Sequence, residues 1–211
     1  MSTAKLIIDT AVAVGTLAVA VMAIWGEKVR SWLSPPKLII QPHTLRGAPT
    51  RLTIAGAVNP GGGQRAIYYH LKVLNVRPWL TVQNCRVLLT GIARRGPDGQ
   101  FHSLPMAVPF QFVWAPERAA PEQLTVTTER VLDFARICEG AQNIGPRLYE
   151  FPNDFQGLVS KDEAVRYHLK IDASNFVSRK PQVFEIAWDG EWHYEVELME
   201  QHLRISEIHE P

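Results

Sequence analysis

Between Leu6 and Trp25 the sequence reads LIIDTAVAVGTLAVAVMAIW, about twenty residues with one charge. At 1.5 Å rise per residue a helix of that length matches the ~30 Å hydrocarbon thickness of a bilayer, so this stretch is expected to span a membrane. Asp9 lies in the first turn, where a carboxylate reaches the headgroup region at modest cost, and Trp25 stands where an interfacial aromatic belongs. A cleaved signal peptide is the rival reading, since Val21-Met22-Ala23 offers small residues near a cleavage point. Only Lys5 precedes the run, however, and Lys28, Arg30 and Lys37 follow it directly, which favours a retained anchor. The same charges predict an outside amino terminus and a cytosolic carboxy-terminal domain. Ala11, Gly15 and Ala18 fall on one helical face, where small side chains let two helices approach closely and self-associate as a homo-oligomer.

The domain boundary follows from proline. GEKVRSW is expected to carry the helix to an amphipathic end, with Trp32 and Leu33 at the interface, and Pro35-Pro36 then stops it. Residues 1–34 are read as the anchor and juxtamembrane segment, and 35–211 as one domain of ordinary size.

Beyond Pro36 the apolar spacing changes to period two. Predicted strands are Lys37–Gln41, Arg51–Ala57, Ala66–Asn75, Gln83–Ala93, Met106–Trp114, Thr128–Ile137, Arg147–Phe151, Val165–Ala173, Gln182–Asp189 and Trp192–Glu200. The connections NPGGGQ, RRGPDGQ, APERAAPEQ, FPND and DASN are turn chemistry. Short strands with such connections predict an all-β fold, an antiparallel immunoglobulin-like β-sandwich behind one transmembrane α-helix.

Two strands nearly repeat: YYHLKV at residues 68–73 and RYHLKI at 166–171. Each puts Tyr, Leu and Val or Ile on one face (Tyr69, Leu71, Val73; Tyr167, Leu169, Ile171) and His and Lys on the other. The flanks do not match, so one domain using two similar strands is the better reading than a duplication. His70 and His168 are expected on solvated outer faces. In QVFEIAWDGEWHYEVEL, a three-residue loop Asp189-Gly190-Glu191 would set Trp188 opposite Trp192 in a final hairpin, with His193, Glu195 and Glu197 facing outward.

Little here carries chemistry. The chain has no G-x-S-x-G, H-E-x-x-H, phosphate-loop, dinucleotide or C-x-x-C signature, and Gly61–Arg65 precedes a strand and not a helix. No catalytic, cofactor-binding or metal-ligating residue is assigned, no cofactor is implied, and the chain is read as non-enzymatic. Formal net charge is +1 without a basic run, which argues against nucleic acid as a partner. Cys85 and Cys138 read as separate reduced thiols, with a single bridge between them as the alternative.

The pattern YYHLKVLN…QNCRVLLTGI…FVWAP…TVTTERVLDFARI…RYHLKIDA…FEIAWDGEW, behind an apolar helix and a proline hinge, resembles a loose group of uncharacterised bacterial single-pass membrane proteins with an immunoglobulin-like β-sandwich domain. That resemblance implies membrane anchoring and a sandwich, in a bacterial inner membrane, and supplies no activity or site residues. The functional expectation is a membrane-tethered binding or sensing module that meets the bilayer through residues 6–25 and an unknown protein or small ligand through its sandwich. The alternatives are an exported, envelope-facing binding domain and a membrane-acting effector that assembles through its helix. Orientation separates the first two.

Overall fold

The computed structural model describes residues 3–33, 35–52, 63–116 and 124–209. The chain divides into two compact units, Met1–Pro36 and Lys37–Pro211. In the first, α1 (Thr3–Leu33) is a single helix of 31 residues. It contains a span of 20 residues, Ile7–Gly26, long and apolar enough to cross a membrane, and no part of that span is buried within the protein.

The second unit is the sandwich expected from the period-two spacing. In chain order its strands are β1 (Leu38–Leu52), β2 (Gln64–Asn75), β3 (Val82–Arg95), β4 (Phe101–Leu104), β5 (Phe110–Gln111), β6 (Val113–Trp114) and β7 (Leu124–Val126). They continue as β8 (Glu129–Cys138), β9 (Asn143–Pro146), β10 (Val159–Ser160), β11 (Glu163–Ala173), β12 (Phe176–Val177) and β13 (Gln182–Trp188), then a short helix α2 (Val196–His202) and β14 (Leu203–Ile208). One sheet runs β1-β2-β8-β9-β10 with β6 on β8; the other runs β14-β13-β11-β3-β4, with β5 and β7 on β3 and β12 on β11. Strand pairing is antiparallel throughout these ladders.

The near-repeat now has a structural meaning. YYHLKV is the middle of β2, second strand of the first sheet, and RYHLKI is the middle of β11, third strand of the other. Tyr69, Leu71, Val73, Tyr167, Leu169 and Ile171 are all buried in the common core. Each strand meets a bulge at its histidine. On β8, Phe134 has no partner between Tyr69↔Ala135 and His70↔Asp133; on β3, Thr90 has none between His168↔Gly91 and Leu169↔Leu89. A bulge adds one residue to one strand and lets consecutive side chains share a face. On β8 it turns both Phe134 and Ala135 inward, and Phe134 becomes the aromatic centre of the core. Its ring lies 5.9 Å from Phe112, 5.9 Å from Tyr167 in an edge-to-face contact, and 5.7 Å from Phe184.

β1 is longer than the predicted Lys37–Gln41. It continues through Pro42 and Pro49 because it is an edge strand, where a missing N–H leaves no ladder bond unmade. Register shifts between Pro42 and Ala48 throw out a loop containing Gly47 at φ +106°, where a Cβ would lie 2.5 Å from Ile67. Arg51 and Leu52 close β1, and the remainder of the predicted strand Arg51–Ala57 lies outside the described residues. The predicted strand Arg147–Phe151 is reduced to an isolated bridge between Phe112 and Leu148.

The final hairpin differs from its expectation. Phe184, Ile186 and Trp188 do face the core, but Trp192–Glu200 is not a strand. The strand that pairs with β13 is β14, with Trp188 opposite Leu203, and the intervening chain forms a loop and α2. Two causes are local. Glu, Leu, Met and Gln are strong helix formers, so VELMEQH prefers a turn of helix despite its alternating start. Trp188 Nε1 also donates to Glu191 O at 2.8 Å, which holds the chain in a tight turn in place of a ladder. Trp192 packs against the core from this loop, and His193 is half-buried, stacked on His202 at 4.8 Å. Gly190, at φ +98°, is required here, since a Cβ would meet the Lys161 side chain at 2.5 Å.

Cys85 and Cys138 are free thiols; burial, with the charge of Asp172 adding to it, pushes the Cys85 thiol up to about 12. Phe134→Ala should destabilise the sandwich by about 3–5 kcal/mol in denaturant titrations, whereas Val108→Ala, at an exposed position, should change stability by no more than about 0.5 kcal/mol.

Candidate functional site

The bulge that turns Phe134 inward leaves Asp133 on the outer face, opposite His70. That face should be solvated. Instead Asp133 is 4% exposed, and among the described residues it is one of two buried polar side chains, the other being Asn75. It is flanked within the sheet on both sides, by His70 of β2 and by Val113 of β6, which pairs edge to edge with β8, and Ala115 and Pro116 line the surface beside it. Asn75 spends its amide on loop carbonyls, donating to Leu80 O at 2.7 Å and Thr127 O at 3.1 Å, and is structural. Asp133 has a different environment. Its Oδ1 lies 3.2 Å from His70 Nε2 at the floor of a cleft of about 400 Å³. Ala48, Pro49 and Thr50 of β1 form one wall and Ala115 and Pro116 the other.

A row of side chains crosses this cleft. Tyr68 stacks on His70 with ring centroids 6.0 Å apart and 11° between planes. Arg136 donates from Nη1 to Tyr68 Oη at 3.0 Å and sits over the Tyr68 ring at 5.6 Å. The order along the face is guanidinium, phenol, imidazole, carboxylate. A carboxylate fixes which imidazole nitrogen is engaged, while an aromatic face offers planar contact area. Such a row suits recognition of a ligand with a flat or apolar surface and a hydrogen-bonding group. His70 is therefore not the freely solvated residue expected from alternation alone; the register shift and the pairing of β6 with β8 could not be read from period two. His168 follows the expectation more nearly. It lies half-buried on the other sheet, beside Gly91, and the two histidines do not meet.

A second cluster occupies the end of the sandwich where α2 sits. His202 Nδ1 lies 2.7 Å from Asp189 Oδ2, Glu191 N donates to Asp189 Oδ1 at 2.9 Å, and a cavity of about 270 Å³ is lined by Asp162, Glu163, Asp189, His202 and Arg204 among others. Arg94 pairs with Glu163 and donates to the carbonyls of Gln156 and Leu158, so it ties the 156–163 loop to β3. Burial alone would raise the Glu163 carboxyl, but the Ser160 N–H and Arg94 outweigh it and hold it below its ordinary value. Among the described residues no group of three or more His, Cys, Asp or Glu side chains is placed to hold a metal ion.

The small-residue face of α1 is open. Ala11, Gly15 and Ala18 are exposed on α1, nothing lies within 4 Å of where a Cβ would stand on Gly15, and Ile7, Thr10, Ala11, Val14 and Gly15 line a groove along the helix. Compared with protein-family models and with curated proteins, the chain matches none.

Two outcomes check the electrostatics. His70→Ala leaves the Asp133 carboxylate buried without its partner and should cost about 1–3 kcal/mol; adding Asp133→Ala should recover part of that loss, a double-mutant coupling of about 0.5–3 kcal/mol. For Glu163 the folded value lies below the unfolded one, so its stabilisation is complete above the ordinary carboxyl range and is lost as pH falls through the folded value. Glu163→Gln should therefore be less stable than the parent at neutral pH, and the gap should close below about pH 4, as read by denaturant midpoints across pH.

Proposed function

We propose that the protein is a membrane-anchored recognition module, with an immunoglobulin-like sandwich held in the cytosol of a bacterium and no reaction of its own. The observation that carries this reading is the buried Asp133 at the floor of the His70 cleft. Taking a carboxylate out of water is costly unless it is paired, and the outer face of a sheet offers water at no cost. Setting that residue between His70 of β2 and Val113 of β6, beside the Ala115-Pro116 turn, makes a charged cleft where packing alone needs none. The row of Arg136, Tyr68, His70 and Asp133 fits a protein or small ligand with a planar or apolar contact group. Location comes from α1: its Ile7–Gly26 span has apolar side chains on every side and no protein to cover them, which suits a bilayer. The face of Ala11, Gly15 and Ala18 adds a route to self-association within the membrane.

Lys28, Arg30 and Lys37 after the span favour the cytosolic orientation. Full-length protein should stay in the membrane pellet after alkaline carbonate extraction, and a carboxy-terminal phosphatase fusion should be inactive while a fluorescent-protein fusion is bright; the reverse reporter pattern would favour the exported alternative. For the cleft, a photo-crosslinking residue at Thr50 should give a discrete adduct in cells that disappears with His70→Ala. A diffuse set of adducts indifferent to His70 would count against recognition at this site.

A further inference from the structure

The loops at the end of the sandwich where β1 begins form a surface of their own. β2 delivers the chain there at Asn75, β3 leaves from Val82, and the β11–β12 turn and the start of β13 lie alongside. The two loops are joined: Asn175 Nδ2 donates to Thr81 O at 3.3 Å, Ser174 N to Gln83 O at 3.0 Å, and Asn84 Nδ2 to Ser174 Oγ at 2.8 Å. At this end Trp79 is 66% exposed and Val177 63%, and Val76 is also exposed. A tryptophan that far out of the core is unusual for a large ring, and the three exposed apolar side chains fall on loops at one end of the sandwich.

Charge surrounds the patch. Lys37, Arg130, Arg179 and Lys180 are exposed at the same end. The carboxylates there are engaged: Glu129 with Lys72, Asp172 with Arg86, and Glu207 with the Gln182 amide. An exposed indole with valines inside a basic rim matches the interfacial layer of an anionic bilayer, where Trp sits at headgroup depth and Lys and Arg meet lipid phosphates.

Chain connectivity selects this end. Leu33 ends α1 and Leu38 begins β1, so at most about 17 Å of chain joins them. The α2 end lies a strand-length away, roughly 36 Å for the 11 residues of β11. We infer that the Val76, Trp79 and Val177 loops dock on the surface of the same membrane that holds α1, with Lys37, Arg130, Arg179 and Lys180 binding anionic headgroups. This rests on the anchor reading of the Ile7–Gly26 span.

Spin labels test both claims separately. In full-length Cys138→Ser protein, where Cys85 is buried and unreactive, single cysteines are placed by Trp79→Cys, Val177→Cys, Leu198→Cys and Val14→Cys. The protein is reconstituted in phosphatidylcholine vesicles with and without phosphatidylglycerol, and collision with oxygen and with a water-soluble nickel chelate is measured. Labels at 79 and 177 should lose chelate access and gain oxygen access in the anionic vesicles, while the label at 198 stays in water and that at 14 is in hydrocarbon. Arg179→Glu with Lys180→Glu should return 79 and 177 to water and leave 14 unchanged. Labels at 79 and 177 as accessible as 198, with 14 still embedded, would overturn the docking and spare the anchor. A label at 14 open to the chelate would overturn the anchor, and the docking with it. Lipid contact that persists after charge reversal and without phosphatidylglycerol would remove the basic residues from the assignment.

Discussion

The sandwich is organised around one inserted residue. Phe134 has no partner on β2, and that mismatch lets its ring reach Tyr167 and Phe184 of the opposite sheet while Phe112 stacks on its near side. Aromatic pairs at these separations add to the burial of their area. The same insertion fixes the phase of β8: Leu132 and Phe134 point inward, and Asp133 between them must point out toward His70. Core and cleft are thus two faces of one bulge. A sheet without it would align Asp133 and the rest of β8 differently against β2, because a one-residue slip inverts every side chain.

Alternation made much of this legible. Tyr69, Leu71 and Val73, and Tyr167, Leu169 and Ile171, were assigned inward from spacing, and the two-sheet architecture follows from using that strand once in each sheet. What period two could not supply is anything that depends on two strands at once. The signal for the bulge is present in RVLDFARI, where two apolar residues follow Asp133 and break the alternation, but it acquires meaning only beside β2. The His70–Asp133 contact therefore had no sequence signature of its own. The misread hairpin is a different failure. WHYEVEL alternates well enough to pass as a strand, and the true edge strand, LRISEI, alternates no better; the helix-forming run between them and the Trp188-to-Glu191 bond decide the matter.

One edge of the first sheet is met by a side chain of the other. Gln182, at the start of β13, imitates a neighbouring strand: Ile40 N donates to its Oε1 at 2.7 Å and its Nε2 donates to Ile40 O at 2.7 Å, with a further bond to Glu207 at 3.2 Å. An edge strand presents unpaired N–H and C=O groups that invite association with another chain. Here one amide occupies a donor and an acceptor of β1 and ties the first sheet to the second.

That tie has a mechanical consequence. Any tension applied to the chain ahead of the sandwich arrives through Pro35 and Pro36 at the first residues of β1. Leu38 through Pro42 run antiparallel to Asn75 through Leu71, so the load falls across several ladder bonds together and does not peel them one at a time. Gln182 sits at the third residue of that strand and spreads part of the force into β13 and β14. Resistance to forced opening is governed by the unfolding barrier and not by equilibrium stability. A single glutamine amide thus sets how the domain bears a pull, a property that burial and core packing do not describe.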